Sequence, residues 1–297
     1  MLSWSWRSLT RAPPYKHNRS LPTFDRLVGA LGVAPTEKDS AAGYWITLMK
    51  ACIFCGSAPT TREHVLPQWM AKKLQARDGM IHDSRRPGEA RTALNGFDML
   101  VKCACGPTCN NGWMERLEHE VRPFLGELIL GQRIELNPLQ QDALARWLWK
   151  TAIVQDAGLG KRENFFRKSD AEDFFRTQTV PANARMWIGG YVHDRRSALI
   201  ALRVWTLAAR PITVGRALVF TIAIGKIVVQ VLATRAGRAH IAADDPQHTY
   251  QTKNPVAVKF WPPTGRAIKR TGFGVPDSSF EGFAGRFDNM PVLFFDS

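Results

Sequence analysis

Apolar residues recur with a helical period in the first part of this chain and with a strand-like texture after residue 184. Trp113, Leu117 and Val121 follow one another at intervals of four residues. This spacing predicts a helix over residues 111–130 with one apolar face. Pro123 lies in its middle and predicts a kink or an end there, because proline lacks the amide hydrogen.

A second helix is predicted from Asn137, which is a good N-cap with proline at the first helical position. Leu144, Leu148 and Ala152 form its apolar stripe, and Gly158 and Gly160 mark its end. The sequence from Ser169 to Glu172 resembles a capping box and predicts a short third helix.

From residue 184 onward, β-branched and aromatic runs are bounded by glycine, proline or charged residues, which predicts strands. The predicted strands are 185–192, 199–207, 217–224, 227–233 and 256–260. Their short connections favour an antiparallel sheet over a β-α-β arrangement. The tail from Thr264, which is rich in glycine and phenylalanine, is expected to lie over this sheet, and the fold class is α+β.

Three regions are predicted along the chain. Residues 1–48 show no sustained period and are interpreted as a disordered extension or a mis-annotated start, with Met49 as the initiator. Residues 49–130 form a cysteine-containing module with its helix, and residues 131–297 form a basic α+β domain of unassigned role.

The composition adds a strong positive charge to this picture. Apolar residues make up 45 %, enough for a core, and the net charge is +14. Such a surplus favours a nucleic-acid partner over a merely solvated basic face. Lysine and arginine outnumber acids by only 9 to 8 in residues 51–120, against 24 to 15 in residues 121–297. No segment is apolar enough to span a membrane, so a soluble, cytoplasmic protein is expected.

All five cysteines fall between residues 52 and 109. The odd number and the lack of a secretory segment disfavour a disulfide framework and favour metal ligation. Cys52 and Cys55, followed by glycine, have the spacing of a zinc knuckle, and Cys109 belongs to the second pair. Its partner is Cys105 by preference, because a single turn can separate them, or else Cys103. Four thiolates would fill a tetrahedral site, so this zinc is expected to be structural.

Two further elements carry possible chemistry. Glu63 and His64 lie side by side between the two cysteine pairs, and Asn110 follows Cys109. Neighbouring strand residues point to opposite faces, so Glu63 and His64 can share a site only where the strand is irregular. The simpler readings are a surface glutamate, a packed histidine and an N-cap asparagine.

Taken together, these elements resemble the HNH endonuclease family of the ββα-metal fold, over residues 52–115. The segments that carry the resemblance are Cys52 to Gly56, Thr61 to Pro67 and Cys103 to Met114. The resemblance implies His64 as the general base, and Glu63 and Asn110 as ligands of a catalytic Mg²⁺ or Mn²⁺. It also implies hydrolysis of phosphodiester bonds in nucleic acid, with DNA as the preferred substrate.

The chain departs from the family pattern at three positions. Glutamate replaces aspartate at Glu63, and Trp113 stands where a lysine is common. The asparagine that steadies the histidine has only Asn95 as a candidate. Two other hypotheses therefore stay open: a non-catalytic zinc-ribbon protein that binds nucleic acid, and a zinc module that mediates protein contacts.

Other residues are weaker candidates. Arg146 and Lys150 are one helical turn apart beside Trp147 and Trp149, and could contact phosphate while a tryptophan stacks on a base. An ordinary amphipathic helix is the preferred interpretation. His119 is expected to be exposed to solvent rather than to bind metal.

Overall fold

The structure is a computed structural model of the chain, and it describes most residues from 51 onward. The described ranges are 51–75, 79–83, 91–94, 97, 99–133, 135–158, 164–192, 198–209, 212–236, 239–241, 256–270, 274–287 and 292–294. They belong to one compact unit, Tyr44–Ser297. The predicted N-terminal extension, residues 1–48, with the proposed initiator Met49, and the candidate Asn95 lie outside the described residues.

The elements follow one another as short strands and helices, then long strands. The strands are β1 (Thr60–His64), β2 (Gly79–Asp83), β3 (Arg91–Leu94), β4 (Leu100–Cys105), β5 (Glu135–Leu136), β6 (Ala184–Val192), β7 (Ala198–Ala209), β8 (Ile212–Ile224), β9 (Ile227–Ala236), β10 (Ala239–Ile241), β11 (Ala257–Trp261), β12 (Ile268–Lys269), β13 (Gly274–Pro276) and β14 (Val292–Phe294). The helices are α1 (Gln68–Leu74), α2 (Glu115–Ile129), α3 (Pro138–Gly158), α4 (Lys168–Thr177) and α5 (Phe280–Ala284).

The cysteine module is built from β1, β4 and α2. Strands β1 and β4 pair antiparallel, with an irregularity between Thr61 and Arg62. A helical segment with wide turns, Gly106–Met114, follows β4 directly and leads into α2, with a break at Gly112. Helix α2 continues through Pro123 and buries one face that includes Leu117 and Val121. The helix predicted over 111–130 is therefore confirmed in its main part.

Helix α3 begins where the sequence predicts. The Gln140 amide donates a hydrogen bond to Asn137 Oδ1 at 2.9 Å, which caps the helix. Every residue from 147 to 158 is buried, so this is an interior helix rather than an amphipathic one. Helix α4 begins earlier than predicted, because Arg167 rather than Ser169 is its N-cap, and the Arg167 amide donates to Asp170 Oδ2 at 2.7 Å.

The large sheet has eight strands and is mainly antiparallel, which confirms the α+β class. Its order is β11-β6-β9-β8-β7-β2-β3, with β13 added beside β6. All five strands predicted after residue 184 are present. Strands β2 and β3, which lie between the two halves of the cysteine module, join this sheet because β2 pairs parallel to β7.

Two apolar clusters hold the elements together. The larger one runs from Cys52 to Ile268 and joins the cysteine module to α3 and one face of the sheet. The smaller one covers the other face, where Phe280, Phe283 and Phe287 pack on the strands. The expectation that the tail covers the sheet is thus confirmed for residues 280–287, whereas residues 274–276 join the sheet as strand β13. The division at residue 130 stays a prediction, and both sides of it share the larger cluster.

Candidate functional site

The turn after Cys52 has the shape of a metal knuckle. The Gly56 amide donates to the Cys52 carbonyl at 3.0 Å, and Gly56 has a φ of +75°, which favours glycine. The Cys55 amide points at Cys52 Sγ at 3.5 Å. The Ile53 amide donates to the Cys103 carbonyl at 2.9 Å and ties the turn to β4. The local sequence therefore directs two sulfur atoms to one side of the turn.

Four sulfur atoms converge, and they belong to Cys52, Cys55, Cys105 and Cys109. All lie within 4.8 Å of one another. Cys52 and Cys109 are 3.6 Å apart, and Cys55 and Cys105 are 3.3 Å apart, too far for disulfide bonds of ~2.05 Å. Zinc bound at ~2.3 Å by a tetrahedron of thiolates would separate its sulfur ligands by about 3.8 Å. The cluster could therefore hold a metal ion.

Cys103 is the fifth cysteine, and it is fully buried and outside this cluster. Burial raises the pKa of its thiol well above the ordinary value. Within the cluster, hydrogen bonding with Cys109 lowers the pKa of Cys52 to about 4 and raises that of Cys109. Of the two possible partners for Cys109, the preferred Cys105 is the one that lies in the cluster.

Glu63 points into the protein from β1. It is only 5 % exposed, and its Oε1 accepts a hydrogen bond from Lys150 Nζ at 2.9 Å. The same ammonium group contacts Glu118 Oε1 at 3.0 Å, so one lysine of α3 bridges acids on β1 and α2. Burial raises the pKa of Glu63, and the Lys150 charge opposes this. Burial also opposes the charge on Lys150, but the two carboxylates outweigh it and raise the Lys150 pKa.

This ion pair changes three expectations. Glu63 is buried and His64 is half-buried, the reverse of the simpler reading. Lys150 has no solvent exposure and cannot contact phosphate as proposed, nor does it extend its ammonium to solvent as an amphipathic helix would require. Arg146 is also engaged, with Asp142 and Glu120, both at 2.8 Å. Since Lys150 is the one charged residue between positions 147 and 154, the sequence did contain a signal that this lysine needs a buried acid.

His64 is the last residue of β1, and its Nε2 lies 3.0 Å from Gln68 Nε2 in the first turn of α1. The donor and acceptor in this contact depend on the tautomer of the imidazole, and the contact holds Gln68 against one edge of the ring. Gln68 therefore helps to fix the ring, a role that the sequence analysis missed. His119 is exposed, as expected, and its Nε2 lies 3.8 Å from Glu115 Oε1.

Asn110 joins the helical segment to β1 instead of capping a helix. Its Nδ2 donates to Thr61 Oγ1 at 3.1 Å and to the Arg62 carbonyl at 3.0 Å. These two bonds set the orientation of the amide, since carbonyl and hydroxyl oxygens accept from its nitrogen. Within the described part of the chain, no group donates to Asn110 Oδ1. The side chain is thus fixed by its nitrogen and keeps its oxygen for another partner.

Trp113 stands where the HNH family commonly has a lysine, and it has a packing role. Its ring contacts Phe54 edge-on at 5.1 Å and Phe174 at 5.8 Å. It therefore links the knuckle turn to α4.

The predicted residues thus meet around β1, but in different environments: Glu63 inside, His64 beside α1, and Asn110 against the strand backbone. Searches against protein-family models, curated proteins and solved structures found no match for this chain. None of the helices among the described residues is long and apolar enough to cross a membrane.

Proposed function

We propose that the protein is a metal-dependent HNH-type endonuclease that hydrolyses phosphodiester bonds in nucleic acid, with DNA as the preferred substrate. The ion held by the four-cysteine cluster is zinc, because an all-thiolate tetrahedral set suits zinc and leaves no open position for substrate. Its role is structural: it connects the knuckle turn, the end of β4 and the start of the helical segment.

One observation supports the nuclease proposal most. Asn110 uses both amide hydrogens to grip β1 at Thr61 and Arg62, directly before Glu63 and His64. Asn110 is 47 positions from Glu63 in the sequence, yet its side chain contacts the strand that carries Glu63 and His64. An asparagine that served only to begin a helix would instead accept bonds from the helix backbone.

The proposed roles follow from the chemistry of each group. His64 removes a proton from the attacking water, and the contact with Gln68 keeps the ring oriented for this step. Asn110 Oδ1 and the second carboxylate oxygen of Glu63 are hard oxygen atoms that suit Mg²⁺ or Mn²⁺. When bound, such an ion offsets negative charge on the scissile phosphate and the departing oxygen. Asn110 Nδ2 and Glu63 Oε1 already form hydrogen bonds within the protein. No described residue donates a hydrogen bond to Asn110 Oδ1 or to the second carboxylate oxygen of Glu63.

The net charge bears on the binding partner. The net charge of +14 supports a polyanionic partner, and DNA in a cytoplasmic setting is the partner we propose.

A plasmid-nicking assay tests the proposal. The zinc-loaded full chain would be compared with His64→Ala, and with His119→Ala as a matched control on an exposed histidine, with and without Mg²⁺ or Mn²⁺. We expect nicking that requires the divalent ion and falls about 10²–10⁴-fold in His64→Ala, because a general base contributes that much. The His119→Ala variant should retain the activity of the unmodified chain.

The alternative is a zinc-ribbon protein that binds nucleic acid without cutting it. The ion pair between Glu63 and Lys150 favours this alternative, since it commits one predicted metal ligand to a buried cation. Equal inactivity of all variants, with zinc bound and salt-dependent DNA binding retained, would establish it. Loss of salt dependence as well would favour the third hypothesis, a zinc module for protein contacts.

A further inference from the structure

The pair of strands β1 and β4 has one buried and one solvent-facing side. Glu63 and its partner Val101 lie on the buried side, since both are almost fully shielded from solvent. Arg62 and His64 are two residues apart, so they share the other side. Lys102 lies directly across from Arg62. The solvent-facing side therefore presents His64 next to two cations.

Two like charges directly opposite each other in a sheet oppose folding. Elsewhere in this protein such pairs are compensated. Arg216 lies opposite Arg235, but Asp170 pairs with Arg235 at 3.2 Å and the Asn164 carbonyl accepts from Arg216 at 2.7 Å.

No carboxylate in the described ranges pairs with Arg62 or Lys102. Arg62 is exposed and Lys102 is half-buried. Their positions contrast with that of Lys269, which lies opposite Glu135 in the ordinary arrangement of opposite charges. An uncompensated cation pair beside a histidine is what a bound anion would balance.

We propose that Arg62 and Lys102 form a phosphate clamp, which binds the backbone phosphates of nucleic acid next to His64. This inference rests on the proposed function and extends it, because it names the residues that position the substrate. The cysteine module is nearly neutral in total, yet its charges are divided between two faces, with Glu63 inside and the two cations outside.

The clamp is tested by binding without added Mg²⁺ or Mn²⁺, so that cleavage plays no part. The zinc-loaded full chain would be titrated into a fluorescently labelled DNA duplex of random sequence at several salt concentrations. The test variant is Arg62→Gln/Lys102→Gln. The matched control is Arg266→Gln/Lys269→Gln, which removes the same charge from two exposed positions in another part of the chain.

The logarithm of the binding constant falls linearly with the logarithm of the salt concentration. Loss of two phosphate contacts should make this slope shallower by about 2 and weaken binding on the order of tenfold at low salt. The control should change the slope by much less. The thermal midpoint of Arg62→Gln/Lys102→Gln should equal or exceed that of the unmodified protein, because the repulsion between the strands is removed.

Equal slopes for the test and control variants would overturn the clamp, as would an unmodified chain that shows no salt-dependent binding. The outcome is separable from that of the nuclease proposal. A protein that nicks DNA while both double variants bind alike keeps the nuclease and loses the clamp. A protein that never nicks DNA, but whose slope depends on Arg62 and Lys102, keeps the clamp and loses the nuclease.

Discussion

The four-cysteine cluster and the group of Glu63, His64 and Asn110 occupy the same stretch of chain, but they are built in different ways. The cysteines come from the knuckle turn, the end of β4 and the helical segment, which bring four like atoms within 4.8 Å of one another. The other three residues come from one strand and one helical segment, and each has a different neighbour. Within each half of the first site the cysteines are three or four residues apart, whereas in the second site the partners of Glu63 and Asn110 are distant in the sequence.

The two sites also differ in the cation that compensates their negative charge. The cluster gathers four thiols whose full deprotonation needs a metal cation. At Glu63 the compensating cation is already part of the protein, because Lys150 supplies it from α3. The first site would thus depend on an ion from solution, whereas the charge of Glu63 is compensated by a residue 87 positions away.

The largest expected effect comes from removing one cysteine of the cluster. Cys109→Ala should abolish stoichiometric zinc binding and lower the free energy of unfolding by more than about 5 kcal/mol, because the metal would join the knuckle turn, the end of β4 and the helical segment. Zinc content by atomic emission and urea unfolding would measure both quantities.

Cys103→Ala is the matched control for that experiment, since Cys103 is equally buried but outside the cluster. It should keep zinc and lose only about 1 kcal/mol. Loss of zinc from Cys103→Ala, with zinc retained in Cys105→Ala, would show that the ligand set differs from the one in the structure.

The second-largest effect is expected at the buried cation. Lys150→Met should lower the free energy of unfolding by about 3–5 kcal/mol, because it leaves the buried carboxylate of Glu63 without its partner. Adding Glu63→Gln should recover much of this loss. The control is Lys168→Met, which removes an exposed pair with Glu172 at 3.3 Å and should cost less than about 0.5 kcal/mol.

The loss in Lys150→Met should also depend on pH. Burial raises the pKa of Glu63, so the folded state holds its proton more tightly than the unfolded state does. The contribution of this proton to the free energy of unfolding is fully present below about pH 4.3, the pKa of a glutamate in the unfolded chain. It is lost as the pH rises through the pKa of Glu63 in the folded state. Without Lys150 the loss should therefore be smallest near about pH 4 and grow toward neutrality, and a loss that is the same at all pH values would contradict the assigned charge states.

Much of this architecture could be predicted from sequence where the signal is local. The cysteine spacing, the Asn137 cap and the strands after residue 184 are set by residues close to one another in the chain. The burial of Glu63 could not be predicted in the same way, because it depends on Lys150. Strands β2 and β3 were also missed, since short segments such as 79–83 become strands only by pairing with the sheet.

The smallest of the three stability effects is expected at Asn110, and it tests whether the second site is more than a structural contact. Asn110→Ala removes two hydrogen bonds to β1 and should cost about 1–2 kcal/mol. Asn111→Ala is the matched control, because Asn111 is adjacent and exposed, and it should stay within about 0.5 kcal/mol of the unmodified protein.

Asn110→Asp then separates the nitrogen of this side chain from its oxygen. The carboxylate keeps a hard oxygen for a divalent ion, but it cannot donate to the Arg62 carbonyl, so the stability loss of Asn110→Ala should largely remain. Divalent-dependent nicking that survives in Asn110→Asp and disappears in Asn110→Ala would identify the oxygen as the functional atom. Equal loss of nicking in both variants would assign Asn110 to holding the strand, and would place the ion, if one acts, on other ligands.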